Sequence, residues 1–375
     1  MRIFIASGIF HPDSGGPATY LYQLLPELIR RGHAVTALSF GDDPVTGYPY
    51  PLTRIARGRY PVRQWQYFRA AARLWPGHDL AYIHSLDLPL PASMRPRVAK
   101  IVGDSGWERA LNKGWIPAHT DIDAYQTGRY SPQVELLRAA QRREARSLDA
   151  IIVPSQHRRR LVIGWGVDPA RVHVVYNALE TAAPLPSETQ QQARQALGLP
   201  DQPTLLYVGR LIPLKGLGDV FAALRADPGC RLVIAGDGPL QPELERQSAM
   251  DGLSGRVRFV GRIDSARLGL FYRAADYTIL NSGGEGLSHV LLESLRVGTP
   301  VIASDKGGNP EVVRHGVNGL LTPYADVEAL SAALLDAFSP GRRAELAAHT
   351  SEGLDRFDWD RMVEQTIAAL STVSR

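Results

Sequence analysis

The chain has one cysteine in 375 residues, Cys230, so an internal disulfide is excluded and a reducing, cytoplasmic setting is expected. It has no run of 18 apolar residues, so nothing is expected to span a membrane. The opening MRIFIASGIF carries one basic residue and a short apolar run, then enters HPDSGG. It reads as a first buried strand rather than a signal peptide. The common nucleotide fingerprints are missing where they would be looked for. The loop after the first strand lacks G-x-G-x-x-G, and residues 209–216 lack the Walker A pattern. Ten histidines occur without H-E-x-x-H or a comparable metal spacing. Two D-x-D triplets, Asp121–Asp123 and Asp358–Asp360, follow no convincing strand and read as chance matches, so no metal site is expected.

What remains is an ordinary globular composition, 44% apolar and 21% charged. The net charge of +4 is unevenly shared: residues 1–178 hold 23 basic and 14 acidic side chains, and residues 179–375 hold 19 and 24. The two halves therefore meet different things. The sharpest basic stretch, Arg54 to Arg73, has six arginines, no acid, and Tyr60, Trp65, Tyr67 and Phe68 between them. A solvated helix face and contact with an anionic membrane surface are both open readings, and nucleic acid is a weaker one.

Short Val- and Ile-rich runs alternate with helical patterns, and the alternation runs twice. Strands are predicted at 2–6, 34–39, 80–84, 100–102, 150–154 and 173–176, then at 204–208, 231–235, 257–260, 277–280, 300–303 and 319–321. Between the passes lies a Pro-, Ala- and polar-rich linker, residues 177–192. The pattern predicts an α/β chain of two doubly wound, Rossmann-like parallel-sheet domains facing across a cleft. The divisions are residues 1–178, 179–355 and a closing helix, 356–375. Ligands bind such sheets at the carboxyl ends of strands, so the loops after strands are the places to look for chemistry.

Four such loops stand out. In YVGRLIPLKG, Gly209 permits a turn while Arg210 and Lys215 stand before a helix, an arrangement suited to a diphosphate. In GGPATY, Gly15 and Gly16 let backbone approach an anion. In DKGGNPE, Gly307 and Gly308 precede a Pro-started helix. In EGLSHVLLE, Ser288 is a helix N-cap and Gly298 a stop, which leaves Glu285 in the loop and Glu293 in the second turn. On one helix the two acids would be ~12 Å apart, beyond the roughly 5–9.5 Å of a glycosidase pair, so shared acid–base chemistry is excluded. His84 ends the strand LAYIH, which sets a functional role beside the structural one usual for a lone histidine.

The run from Glu285 to Val313, EGLSHVLLESLRVGTPVIASDKGGNPEVV, resembles the GT-B glycosyltransferases of family 4, also called glycosyl transferases group 1. Supporting matches are VGRLIPLKG, VIAGDGP, FVGRI at Phe259–Ile263 and the closing RFDWDRMV, with GGPATY and VPSQH in the first half. The resemblance implies a hexosyltransferase that uses a GDP- or UDP-sugar, retains configuration, and works without metal or other cofactor. Its products would be glycans, glycolipids or glycosides. It gives Arg210 and Lys215 the donor diphosphate, Glu285 the sugar hydroxyls and Glu293 the ribose. Backbone at Arg262 and Ile263 meets the base, while Gly209 and Gly286, Leu287, Ser288, His289 and Val290 line the diphosphate. Gly15 and Gly16 hold the distal phosphate, and His84 lies near the transferred sugar. The acceptor would be a hydroxyl compound chosen by the first domain, on a cytoplasmic protein or one peripheral to the cytoplasmic membrane face. The alternatives are a sugar-nucleotide epimerase of similar architecture and a non-catalytic binding protein.

Overall fold

The computed structural model describes residues 1–13, 16–43, 47–179, 185–226 and 229–374. The first pass runs β1 (Arg2–Ser7), α1 (Gly16–Arg30), β2 (Ala34–Phe40), β3 (Leu52–Ile55), α2 (Tyr60–Leu74), β4 (Leu80–Ile83) and β5 (Arg97–Lys100). It continues with α3 (Ser105–Asn112), α4 (Ile122–Thr127), α5 (Pro132–Arg146), β6 (Ala150–Val153), α6 (Gln156–Gly164) and β7 (Val172–Val174). The second pass runs α7 (Gln190–Ala196), β8 (Thr204–Val208), α8 (Leu217–Ala226), β9 (Arg231–Ala235), α9 (Gln241–Met250), β10 (Val257–Gly261), α10 (Ser265–Ala274) and β11 (Tyr277–Leu280). It closes with α11 (His289–Val297), β12 (Val301–Ser304), β13 (Gly319–Thr322), α12 (Val327–Ala337), α13 (Arg342–Ala347) and α14 (Trp359–Ser371).

Among the described residues there are two sheets, both wholly parallel. One has seven strands in the order β3-β2-β1-β4-β5-β6-β7, the other six in the order β10-β9-β8-β11-β12-β13. Strands such as β6 and β11 are buried along their whole length, as parallel strands covered on both faces must be. In each sheet the strand order reverses beside the first strand, β1 against β4 and β8 against β11, which opens a crevice at the carboxyl ends.

The chain divides into two compact units. One holds Met1–Val102, Leu136–Tyr176 and Asp360–Arg375; the other holds Gly103–Glu135 and Asn177–Trp359. The sequence pattern suggests a passage near residue 178 and a closing helix from 356 that crosses back to the first domain; the chain passes between the units after Val102, Glu135, Tyr176 and Trp359. The segment 103–135 groups with the second unit because its apolar and backbone groups pack there: the Ile122 N–H donates to Gly283 O at 3.0 Å.

Three sequence expectations shift. The strand expected at 100–102 lies at Arg97–Lys100, because two buried cations sit inside it and disguise it as polar. The expected linker ends earlier: Thr189 and Gln192 form a capping box that starts α7 at Gln190. The Pro-started helix after β12 is a single 3-10 turn, Asn309–Glu311. The short elements β3, α3, α4 and α13 are too brief to show a period in sequence.

Candidate active site

In the second unit, the loops after β8 and β11 meet at the reversal of the sheet. The Leu214 carbonyl accepts from the Gly283 N–H at 2.8 Å and from Ser282 Oγ at 3.3 Å. Asn281 Nδ2 donates to Gly216 O at 3.3 Å and to Asp219 Oδ2 at 3.2 Å. Gly216 adopts φ 60°, and a Cβ there would collide with the Asn281 carbonyl. Two loops distant in sequence are thus one rigid wall. Across it Lys215 Nζ and Glu285 Oε1 form a part-buried ion pair.

The loop after β12 completes the wall. Gly307, at φ 64°, packs against the backbone of Glu285, and the Gly308 N–H donates to Glu285 O at 2.9 Å. Two buried polar groups below hold this turn: Asn309 Nδ2 donates to Ser304 O at 3.1 Å, and Ser304 Oγ donates to Ser282 O at 2.5 Å. Glu285 therefore has its backbone fixed from both neighbouring loops. On the other side, Gly209 N–H donates to Ala235 O at 3.0 Å and Leu211 N–H to Asp237 O at 2.7 Å, which seats Arg210 between them. The Arg210 guanidinium is 68% exposed, with Glu108 Oε2 3.9 Å away on α3.

Ser288 caps α11, its Oγ accepting from the Leu291 N–H at 3.4 Å, and Gly298 ends the helix in the left-handed region at φ 89°. Glu293, in the second turn, is half-buried and accepts from Tyr272 Oη at 2.8 Å. Burial and that carboxylate hold the Tyr272 hydroxyl far above its usual pKa. Arg262 and Ile263 follow β10, with Arg262 Nε 3.8 Å from Asp237 Oδ2.

The structure thus brings Gly209, Arg210, Lys215, Glu285, the 286–290 turn and Glu293 together in one unit, with Arg262 and Ile263 at the next strand end. His84 and Gly16 belong to the other unit, at the carboxyl ends of β4 and β1. Gly15 lies outside the described residues. Sequence reading passed over Asn281, although it stands at a strand end as Gly209 does. It also left Asn177 in the linker, whereas Asn177 Nδ2 donates to Leu287 O at 3.2 Å. Asp219 was missed as well; burial raises its pKa, against the nearby His119 and the Asn281 hydrogen bond. Asp121 of the first D-x-D triplet caps α4 and pairs with Lys306 Nζ at 3.1 Å.

A crevice at the reversal of a parallel sheet, lined by two cations, two carboxylates and a helix N-terminus, defines a nucleotide-sugar transferase of the GT-B class. Residues 14–183 match the model of Glycosyltransferase Family 4 and residues 189–352 that of Glycosyl transferases group 1. The D-inositol 3-phosphate glycosyltransferase of Mycolicibacterium paratuberculosis is 33% identical over 95% of this chain and 85% of its own length. Sucrose-phosphate synthase from Thermosynechococcus elongatus has the same fold, with TM-score 0.81 and 22% identity over 99% of each chain. HepE of Anabaena, in complex with UDP-glucose, gives TM-score 0.77 and 20% identity over 99% of this chain and 100% of its own. The chain belongs to glycosyltransferase family 4, the glycosyl transferases group 1, and is a hexosyltransferase.

Proposed function

We propose that the enzyme transfers a hexose from a UDP-hexose to a hydroxyl of a phosphorylated polyol of the inositol phosphate kind, with retention and without metal. The observation that carries the reading is the Lys215–Glu285 pair fixed across the sheet reversal, with Arg210 presented beside it. Breaking the glycosidic bond builds charge on the departing nucleoside diphosphate. Lys215, Arg210 and the N-terminal N–H groups of α11 balance that charge in this reading, which is electrostatic catalysis. Glu285 then exchanges part of its contact with Lys215 for the sugar hydroxyls, and Glu293 takes the ribose. Backbone at Arg262 and Ile263 faces the base. UDP is favoured over GDP because HepE, of the same fold, holds UDP-glucose. The anionic acceptor is favoured by the name of the relative and by the basic balance of the first half. The test pairs UDP-, GDP- and ADP-glucose with inositol 3-phosphate: fastest release of UDP, dependent on acceptor, is expected. Equal release without acceptor, or a free epimer of the donor, overturns the reading.

A second observation favours work at a membrane surface. Tyr67, Ala70 and Ala71 of α2 face the core, so at 100° per residue the opposite face carries Val62, Trp65, Phe68, Arg69 and Arg73. Trp65 is 57% and Phe68 43% exposed, and Arg69 lies over the Trp65 ring at 4.7 Å. With Arg54 and Ile55 they line a groove of about 780 Å³. No acid occurs between Asp43 and Asp79. A two-fold contact with a second copy would set arginine against arginine, whereas an anionic lipid interface accepts both the rings and the charge. No helix among the described residues is long and apolar enough to cross a membrane. Vesicles with anionic lipid should sediment the wild type and release the Trp65→Ser/Phe68→Ser double variant; equal binding to neutral vesicles removes this reading.

A further inference from the structure

At the carboxyl ends of β4 and β5, Lys100 Nζ and His84 Nε2 are buried and have no hydrogen-bond partner among the described residues. The register explains why they are neighbours. In the β4–β5 pair, Tyr82 lies opposite Val98 and Ile83 opposite Ala99, so His84 and Lys100 stand next in line on adjacent strands. Period-two alternation puts them, with Tyr82, on one face, while Ala81, Ile83 and Ala99 point into the core shared with α2. The face is roofed by α1 and α14. Lys100 Nζ sits 3.5 Å from the centroid of the Tyr20 ring, and His84 packs against Tyr20 at 5.4 Å and Tyr82 at 4.4 Å. Tyr20 Oη in turn meets Tyr82 Oη at 3.2 Å and Thr366 Oγ1 at 3.4 Å.

Lys100 is 5% and His84 7% exposed, and no carboxylate pairs with either among the described residues. A buried ammonium without a counter-charge is costly, and a ring face compensates only part of that. Burial lowers the Lys100 amine to about pH 7, and burial together with Lys100 holds His84 neutral. The titratable groups facing the amine are Tyr20 and His84, with Tyr82 behind them; the hydroxyls of Tyr20 and Tyr82 are pushed upward by burial. A cationic group at a strand end without a partner is suited to an anion, which would supply the missing counter-charge.

We propose that Lys100, roofed by Tyr20 and flanked by His84, forms a binding site for a doubly charged oxyanion, the phosphate monoester of the acceptor. The site stands on the first unit's own geometry and rests on the proposed acceptor only for what carries the phosphate. Neutral His84 beside it offers an acceptor hydroxyl a hydrogen-bond partner without competing for the anion.

The test titrates the full-length protein, its donor site filled with UDP, with inorganic sulfate, whose charge is constant across the range, at pH 6 and pH 8.5, and with inorganic phosphate at pH 7. Only the protonated amine binds, so sulfate affinity should fall about tenfold or more between the two pH values. Lys100→Met should abolish binding of both ions and leave UDP affinity unchanged. Sulfate affinity that does not change with pH overturns the proposal, and it needs no variant to fold. Unaltered phosphate binding in Lys100→Met overturns it as well. Anion binding that survives while inositol 3-phosphate receives no hexose contradicts the acceptor reading and leaves the site standing.

Discussion

Two lysines illustrate how one residue type is used in opposite ways. Lys215 is paired with Glu285 between two loops. Replacing Lys215 with Ala removes charge balance needed most in the transition state, so kcat should fall about 10²–10³-fold. Steady-state kinetics with UDP-glucose check this, and near-normal turnover would displace the lysine from the chemistry. Lys100 has no acid partner among the described residues, and its folded-state pKa of about 7 lies below the ordinary value of 10.5. The sign follows: protonation is harder in the folded chain, so instability builds as pH falls from about 10.5 to 7 and stays constant below. Lys100→Met should therefore raise the unfolding midpoint at pH 7, and the difference should shrink toward pH 10.5. Loss of stability in that variant at neutral pH would instead mean a structural amine. At this scale the sequence was most legible where residue type and loop position coincide, as at Arg210, Lys215 and Glu285. It was opaque for Lys100, where only strand register reveals burial and a neighbour 16 positions away.

Elements of one or two turns are set by their ends, and this decided what could be read from sequence. The helix α11 announced itself through Ser288 and Gly298, and both boundaries stand as expected. The apolar strands of the second unit were equally plain. The helices α3 and α4 were not, being held by Asp104 and Asp121 caps and by packing of Trp107 and Ile122 that no local pattern records. Strand β3 has four residues at a sheet edge and gives no alternation to detect. On the proposed function α11 offers its N-terminal N–H groups to the diphosphate, so its cap would have two tasks. Ser288→Ala should cost about 1 kcal/mol of stability, read from the denaturation midpoint. It should also weaken UDP binding measured by calorimetry. Stability loss with unchanged UDP affinity would detach the helix terminus from the donor.

For the whole molecule, two parallel α/β units with family 4 motifs in both define the enzyme class, while substrate choice is written more finely. The residues proposed for the donor lie in the unit whose motifs are dense. The first unit holds the orphaned Lys100 and His84 and the outward rings of α2, features that sequence patterns alone blur into basic surface. UDP, bound by the folded chain only, should raise its unfolding midpoint progressively with ligand concentration. The most direct measurement follows the fate of a labelled hexose: the full-length chain is incubated with ¹³C-labelled UDP-glucose and inositol 3-phosphate, and the products are resolved by NMR. The account predicts one labelled hexosyl–inositol phosphate, α-linked, for each UDP released. Labelled free glucose or an epimerised nucleotide sugar, formed equally fast without the acceptor, would contradict it.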